Sequence, residues 1–369
     1  MGKLVIFDTT LRDGGQMPGV NFTARQKIDL AGRFSRFGIP LIETFPAVSK
    51  EEAAVTKRLA KELRGKGTEM VAVTMLREDQ VQLAIDCGVR YVSLFTSLSD
   101  LHFNHKLRTT RKENLDKALR MINLCKRKGL KVLFAGEDAT RADSRYLVEF
   151  AKAIGNRVEC FMPCDTLGCA TPESTHSLFA ALRKKTGCGL GFHGHNDFGM
   201  ATANALAAIG AGAELLSSTF TGIGERAGNV PTEEVLSALR FLRGYELRLD
   251  LSELTAICAM VESYSRIAIH PNKPIVGRNA FAHESGLHVD GVLKNPETYE
   301  NFDPKLVGQE RRILFGRKSG KNAVRHLIEK HGLALDAGRA FRILKDSVEP
   351  GRSFTETELA KVLRKTMVI

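Results

Sequence analysis

Gly189-Leu-Gly-Phe-His-Gly-His-Asn-Asp197 is a short apolar, strand-like run that ends in a cluster of polar side chains. Runs of this kind recur along the chain at residues 4–7, 41–45, 70–74, 91–95, 131–134, 158–162, 189–192 and 214–219. Amphipathic stretches with helical spacing separate them, for example at 24–37, 51–63, 115–128, 144–154, 172–185, 200–210 and 232–242. This strict alternation of strands and helices predicts a parallel sheet.

The polar residues at the ends of these runs decide between an open sheet and a closed barrel. They follow nearly every strand, at 8–13, 43, 74, 97–102, 137–138, 165–166, 193–195 and 219–229. In a closed barrel all carboxyl ends converge on one mouth, whereas an open sheet collects ligands at one switch point. We therefore predict an α/β fold with a (β/α)8 TIM barrel over residues 1–245. The alternation of strands and helices stops after residue 245, and residues 246–369 are predicted to form a small helical C-terminal region.

The composition is that of a folded globular protein. Of 369 residues, 43% are hydrophobic and 26% are charged, and 54 Lys and Arg exceed 42 Asp and Glu by 12. The basic residues are interleaved with acidic ones on helical faces, and no aromatic-rich basic groove is present in the sequence. We therefore expect small anionic substrates and no nucleic-acid partner.

The sequence also bears on location. No apolar run approaches the roughly 20 residues that cross a bilayer, and the chain begins directly with strand-like sequence. We therefore expect neither a membrane partner nor a signal peptide. The seven cysteines are odd in number and contain no CxxC pair, which favours reduced thiols in the cytoplasm.

His193 and His195 are candidate ligands of a metal ion. Side chains at i and i+2 of a strand share one face, so both imidazoles can meet one ion in the barrel mouth. Two histidines with a purely structural role would give the same sequence pattern. The metal site is favoured over that alternative because Asp13, after the first strand, adds a carboxylate. Asn229, after the eighth strand, is a candidate fourth ligand. Mixed nitrogen and oxygen ligation admits a divalent Zn, Mn or Mg ion.

Arg12 lies next to this candidate site. A guanidinium beside a metal ion can polarise a carbonyl oxygen and offset the charge that develops on it. Glu43, on the second strand, can hold the arginine in place. A structural salt bridge at the barrel rim is the alternative interpretation of the pair, and both can hold at once.

Longer motifs contain these residues and follow one another in order over about five sixths of the chain. They are FDTTLRDGGQMPG (7–19), IETFPA (42–47), SLSDLH (97–102), GED (136–138), DTLGCATP (165–172), HGHNDFG (193–199), GERAGN (224–229) and FAHESGLHVDGVLK (281–294), the last leading to Tyr299. Through them the chain resembles the isopropylmalate and homocitrate synthase family.

The resemblance implies an acyltransferase that condenses acetyl-CoA with a 2-oxo acid in a Claisen-type reaction and then hydrolyses the thioester to release CoA. It places Arg12 and Glu43 among the catalytic residues, with Arg12 stabilising the developing alkoxide. The remaining implied roles are metal ligation by Asp13, His193 and His195 with Asn229 nearby, contact with the oxo acid by Gln16 and Thr166, and proton transfer by Glu137, His288 and Tyr299. The last two are implied to come from the partner subunit of a homodimer.

The choice of oxo acid rests on fewer residues. Isopropylmalate synthases typically have Gln at the position of Val289. The valine is instead similar to homocitrate synthases of nitrogenase cofactor assembly, and this favours 2-oxoglutarate. Leu133 and Ala135 stand where homocitrate synthases of the lysine pathway place an arginine and a serine for the distal carboxylate. Another cation must then bind that carboxylate. The candidates are His102, Lys106, Arg108 and Arg141, each of which could equally be a surface residue, and we expect Lys106 and Arg108 to be bystanders.

Three further interpretations stay open. One is 2-isopropylmalate, citramalate or citrate synthase activity on another 2-oxo acid. A second is a metal-dependent lyase or aldolase of the same superfamily. A third is a non-catalytic scaffold, prompted by the altered residues of strand five and by Gly15, where the family usually has Glu.

Overall fold

A computed structural model describes residues 4–367. Residues 1–3 and 368–369, the outer ends of the two predicted domains, lie outside that range. The first eight strands form a closed parallel barrel in sequence order, and β1 pairs with both β2 and β8. They are β1 Val5–Asp8, β2 Leu41–Thr44, β3 Glu69–Met75, β4 Tyr91–Ser97, β5 Lys131–Glu137, β6 Cys160–Asp165, β7 Gly191–Gly194 and β8 Leu215–Ser218. The predicted barrel is confirmed.

Helices alternate with these strands. They are α1 Ala24–Phe37, α2 Lys50–Glu62, α3 Glu78–Asp86, α4 Asp100–His102, α5 Arg111–Arg127, α6 Ser144–Ile154, α7 Pro172–Thr186, α8 Ala201–Gly210 and α9 Thr232–Ser237. Two short π-helical turns, Phe103–Leu107 and Ala238–Leu242, extend α4 and α9. The predicted helices at 24–37 and 144–154 begin and end where the structure places α1 and α6.

Local sequence explains why α1 has these ends. The Thr23 hydroxyl accepts the backbone N–H of Gln26, and the Gln26 side chain accepts the backbone N–H of Thr23. This capping box satisfies N–H groups that have no partner within the helix. At the other end Gly38 adopts a φ of 102°, a left-handed conformation in which glycine is favoured.

The interior of the barrel is apolar. Its buried core consists of Phe7, Leu41, Val71, Leu133, Cys160, Met162, Cys164 and Leu215. These side chains come from alternate positions of the strands, as expected for the inward face of a barrel. Leu133, one of the two altered positions of strand five, is therefore a packing residue.

Asp8 is a fully buried carboxyl group at the end of β1. It accepts the backbone N–H of Thr10 at 3.1 Å and the Thr10 hydroxyl at 2.8 Å. The Thr10 hydroxyl oxygen in turn accepts the N–H of Phe220 at 2.9 Å, which ties β1 to the segment after β8. Burial raises the pKa of Asp8 to about 7, although the hydrogen bonds from Thr10 oppose this shift.

We expect the Asp8→Asn variant to gain stability relative to the wild type as the pH rises from 5 to 8. The pKa of Asp8 is about 7 in the folded chain and about 4 in an unfolded one, so the native state holds the proton more tightly. The wild type should therefore lose unfolding free energy through this window, by an amount of the order of 3 kcal/mol. Urea unfolding of both proteins at pH 5, 6, 7 and 8 measures this. Parallel pH profiles would contradict the assignment.

The chain divides into two compact units. The first contains Met1–Asp250 and Ile257–Ala268, and the second contains Leu251–Ala256 and Ile269–Ile369. A short turn, Leu251–Glu253, precedes α10, which covers Leu254–Ser265.

The second unit is mainly helical, as predicted. It contains α11 Gly286–Lys294, α12 Lys321–His331, α13 Ala337–Ser347 and α14 Glu356–Met367. A three-stranded sheet was not predicted; its order is β11-β10-β9, with β9 Ala282–His283, β10 Arg312–Phe315 and β11 Phe354–Thr355. Two of these strands have two residues each, which is too short for a period-2 pattern to be visible.

Within residues 4–367, no helix combines the length and the apolar character needed to cross a membrane. All seven cysteines are unpaired, and Cys169 is the exposed member of the set.

Candidate active site

Residues at and after the ends of the barrel strands line a cavity of about 410 Å³. Predicted site residues on its wall are Arg12, Asp13, Gln16, Glu43, Glu137, Thr166, His193 and His195. Side chains far apart in sequence are therefore brought together by barrel closure, as the convergence of carboxyl ends predicts.

Asp13, His193 and His195 can offer one ligand atom each to a common ion, because these atoms lie within 4.8 Å of one another. Asp13 lies just after β1, before the turn Gly14–Gln16. His193 lies on β7 and His195 directly after it, and their ring centroids are 5.2 Å apart. The predicted juxtaposition of the three side chains is thus present.

The charge states of these three groups suit a cation. Burial opposes ionisation of Asp13, but Arg12 and the two imidazoles hold its pKa well below the usual range. Burial and the neighbouring His195 lower the pKa of His193 to about 3, and burial also lowers the pKa of His195. At neutral pH the site is one carboxylate and two neutral imidazoles, each with a lone pair available for a metal ion.

The surroundings of the three groups also fit a metal ion. Ser217 lies 2.9 Å from His193 Nδ1, so the other ring nitrogen faces Asp13. The Asn229 amide donates to Asp13 at 2.7 Å. Within the described part of the chain, His195 Nδ1 and Asn229 Oδ1 are buried atoms with no hydrogen-bond partner. A divalent cation can bind nitrogen and oxygen atoms of this kind. Their lack of hydrogen-bond partners, in and beside the ligand triad, therefore fits a metal site.

Gly224 makes close packing around this group possible. A Cβ atom there would lie 2.0 Å from Asn229 Nδ2 and 2.8 Å from Asp13 Oδ1. By contrast, the nearest atom to a Cβ on Gly15 would be 3.7 Å away, on Phe22. The loop after β8 therefore requires glycine at 224, whereas position 15 has room for a side chain.

Arg12 connects Asp13 to the second strand. Its Nε donates to Glu43 at 2.5 Å and its Nη1 to Asp13 at 2.8 Å, with Gln16 Oε1 at 3.4 Å from the same nitrogen. Burial opposes the charge, but Glu43 and Asp13 raise the pKa of Arg12, so the guanidinium stays protonated. Arg12 and Glu43 form a partly buried salt bridge, which also fixes the cationic guanidinium on the cavity wall.

Glu137, at the end of β5, accepts the Ser97 hydroxyl at 2.5 Å. Lys106 also donates to both of its oxygens, at 2.6 and 2.7 Å. Lys106, which we expected to be a bystander, lines the cavity and is paired there with Glu137. The π-helical turn Phe103–Leu107 explains the difference, since it changes the direction of side chains relative to an α-helix.

His102 and Arg141, the predicted contacts of a distal carboxylate, are not among the residues that line the cavity. Both face the fully buried Asp138 instead: Arg141 donates to its two oxygens at 2.7 Å each, and His102 Nε2 lies 3.6 Å away. The buried carboxylate needs these partners, which explains their direction. Thr166 lies on the cavity wall, and its hydroxyl accepts the Asp138 N–H at 2.8 Å.

His288 and Tyr299 belong to the second unit. Their rings are stacked, with centroids 4.0 Å apart and planes at 22°, and both side chains are exposed. Val289, next to this pair, is fully buried in the apolar core of the unit. The residue that favoured 2-oxoglutarate is therefore a packing residue within its own unit.

Two further contributors to the site were not singled out from the sequence. Ser217 orients His193, and Arg226 donates to Asp197 at 2.7 and 2.9 Å and to the Thr166 carbonyl at 2.6 Å. Arg226 has a φ of 56°, unusual for a residue with a side chain. Its place in the GERAGN motif was the available signal, whereas an isolated serine on a strand carries none.

Comparison with known protein families gives two matches along the chain. Residues 3–261 match the HMGL-like family, and residues 275–349 match the homocitrate synthase post-HMGL domain-like family. The first match covers more than half of the chain.

Individual relatives agree with this. The chain is 39% identical to homocitrate synthase AksA of Methanothermobacter thermautotrophicus over 93% of its length and 88% of that protein. It is 40% identical to a probable 2-isopropylmalate synthase of Ignicoccus hospitalis, over 98% and 92% respectively. Among solved structures, the HMG-CoA lyase of Bacillus subtilis aligns with a TM-score of 0.65 and 20% identity, covering 76% of this chain and 97% of that one. This last likeness shows the fold alone.

Proposed function

We propose that this chain is an acyltransferase that condenses acetyl-CoA with a 2-oxo acid. The reason is that the chain belongs to the HMGL-like family and that residues 275–349 match the homocitrate synthase post-HMGL domain-like family. The observation that carries the proposal is the convergence of Asp13, His193 and His195 with the Arg12 guanidinium in one cavity. An enzyme of this kind forms a bond from the acetyl methyl carbon to the keto carbon, and water then cleaves the thioester to a carboxylate and free thiol.

Asp13, His193 and His195 would hold a divalent cation, with Asn229 as a candidate fourth ligand. A bound cation supplies a Lewis acid that polarises the keto group of the oxo acid. Zn, Mn and Mg ions all accept this mixture of nitrogen and oxygen ligands, so we leave the metal open among them.

Arg12 would stabilise the negative charge that develops on the keto oxygen. Its two ion pairs fix the guanidinium in place before substrate binds, so little reorganisation is needed during the reaction. Gln16 and Thr166, both on the cavity wall, would contact the bound oxo acid.

Proton transfer is assigned to Glu137, His288 and Tyr299. We propose a homodimer in which His288 and Tyr299 serve the partner subunit, following the family pattern. Their exposure in this chain is compatible with such a role, since neither ring is buried within its own unit. His288 would remove a proton from the acetyl methyl group, working with Glu137 or Tyr299.

2-Oxoglutarate is the first candidate for the oxo acid. The likeness to homocitrate synthase AksA and the post-HMGL domain support it. Synthesis of homocitrate for the nitrogenase cofactor, and a cytoplasmic location, stay predictions from the sequence.

An oxo acid with an apolar side chain is the second candidate, as expected for a 2-isopropylmalate synthase. Much of the cavity wall is apolar, formed by Phe7, Phe45, Val73, Phe95, Ala135 and Met162. Among the lining residues the Lys and Arg side chains are already paired: Arg12 with Glu43, Lys106 with Glu137, Arg226 with Asp197. A distal carboxylate against the apolar wall would lose hydration without a free cation to compensate.

A lyase or aldolase reaction and a scaffold role both have less support than a synthase. The likeness to HMG-CoA lyases is one of fold, whereas the post-HMGL domain matches a family of synthases. A non-catalytic scaffold has no need of a complete ligand triad with buried, unpartnered donor atoms beside it.

We expect free thiol from acetyl-CoA when the purified protein receives a divalent cation and the right oxo acid. The panel contains 2-oxoglutarate, 2-oxoisovalerate, pyruvate and oxaloacetate, each with Zn, Mn or Mg and after chelation. Fastest release with 2-oxoglutarate supports the first candidate, and fastest release with 2-oxoisovalerate the second. Absence of thiol release with all four acids, in a metal-replete protein, would refute the synthase.

A further inference from the structure

Lys106 is a charged residue of the cavity wall that we expected to be a bystander. It lies on the π-helical turn Phe103–Leu107, which ends at Arg108 with a φ of 49°. π-Helical turns and left-handed residues with side chains occur often at functional sites, because they cost energy that the rest of the fold must offset. The turn directs the Lys106 side chain toward Glu137 at the end of β5, and this side chain is about half exposed.

Glu137 is held by two donors from the β4 side of the barrel. Lys106 donates to both carboxylate oxygens, and Ser97, its partner in the β4–β5 register, donates its hydroxyl to one of them. The Ser97 oxygen also lies 2.9 Å from His102 Nδ1. With these contacts the carboxylate has a fixed position and direction.

The charges in the cavity show why the ammonium is needed. Asp13, Glu43 and Glu137 all line the same wall, and Arg12 is paired with the first two. Lys106 contacts the third carboxylate at 2.6 Å, and His102 Nδ1 lies 3.8 Å from it. Without the Lys106 ammonium, an uncompensated carboxylate would face a cavity that has to accept an anionic oxo acid. Two negative charges in one cavity repel each other strongly when they are partly desolvated.

We propose that Lys106 is a positioning residue for Glu137, which holds this carboxylate in the orientation needed for proton transfer, and that it is not a binding contact for the oxo acid. This inference rests on the proposed function, in which Glu137 takes part in proton transfer. It assigns a role to the π-helical turn, whose geometry brings the ammonium to both oxygens at once.

The test compares Lys106→Met, Lys106→Arg and the surface control Lys112→Met in the full-length protein. Lys112 contacts Asp116 on the exposed face of α5, so its loss removes one charge without touching the cavity. We expect Lys106→Met to lower kcat about 10- to 100-fold, a part of the roughly 100- to 10,000-fold that general acid–base catalysis contributes, with the KM for the oxo acid changed less than about threefold. Lys106→Arg should restore most of kcat, because a guanidinium can also contact both carboxylate oxygens. Metal content and melting temperature should match the wild type.

Three results would overturn the inference. One is an unchanged kcat with a KM raised for a dicarboxylic oxo acid alone, which would make Lys106 a substrate contact. Another is an equal loss in Lys112→Met. The third is absence of rescue by Lys106→Arg in a folded, metal-loaded variant.

A readout independent of catalysis separates this inference from the proposed function. Labelling of Lys106 by an amine-directed reagent, followed by mass spectrometry, should be faster in Glu137→Gln than in the wild type, because the ammonium loses its partner. Unchanged labelling overturns the pairing itself. Faster labelling in Glu137→Gln, together with a wild type that releases no thiol, would mean that the pairing holds and that the synthase proposal fails.

Discussion

Gly224→Ala is expected to empty the metal centre and to lower thiol release at least about 100-fold, the scale of an ångström-sized displacement in an active site. The added methyl group would lie 2.0 Å from Asn229 Nδ2 and 2.8 Å from Asp13 Oδ1, so both side chains have to move. Asn229 is buried and has no room to rotate away without losing its bonds to Asp13 and to the Ile223 carbonyl. Metal content of the purified variant, measured with thiol release, tests this.

Gly15→Ala is the matched control. It adds the same methyl group to the other loop that flanks Asp13, where the nearest atom is 3.7 Å away. We expect wild-type metal content and nearly wild-type activity from it. If both variants lost the metal, sensitivity of the loops in general would explain the result better than contact with Asn229.

Arg12→Gln is expected to lower kcat/KM by about 100- to 1,000-fold, the cost of removing one preorganised donor to a developing oxyanion. Glutamine keeps a donor but carries no charge, and it cannot reach both Glu43 and Asp13 as the guanidinium does. Arg12→Lys should recover only part of the loss, since an ammonium lacks the fork of donors. Steady-state thiol release with saturating cation measures both variants.

Arg25→Gln controls for the loss of a positive charge. Arg25 lies on α1, its side chain is 92% exposed, and it faces Asp29 at 3.9 Å. We expect no change in kcat/KM. Wild-type activity of Arg12→Gln would leave Arg12 with a purely structural role, which a drop in melting temperature would then reveal.

The barrel could be predicted because its information is local and repeated. Each strand has a short apolar run and each helix an amphipathic one, so the alternation is visible without any knowledge of contacts. The strand ends were less accurate: β5 was predicted to stop at residue 134 but continues to Glu137, paired with Ser97 of β4. Backbone pairing does not depend on whether the side chain is apolar, so hydrophobic pattern alone ends the strand too early.

The candidate ligand triad could be predicted for a similar reason. Spacing of i and i+2 on a strand places His193 and His195 on one face, and barrel closure then brings Asp13 to the same mouth. Residue type and topology were sufficient, and no side-chain conformation had to be known.

The sequence by itself therefore determined the alternation, the closed barrel and the types of candidate metal ligand at its mouth. Tertiary structure alone decided which cations face the cavity: Lys106 reaches Glu137 through a π-helical turn, while Arg141 and His102 face the buried Asp138. It also placed Val289 in an apolar core. The physical reason is that the periodicity of the sequence sets the face of a strand or helix on which a residue lies. The direction of a long charged side chain depends instead on which oppositely charged group lies close to it in the folded chain.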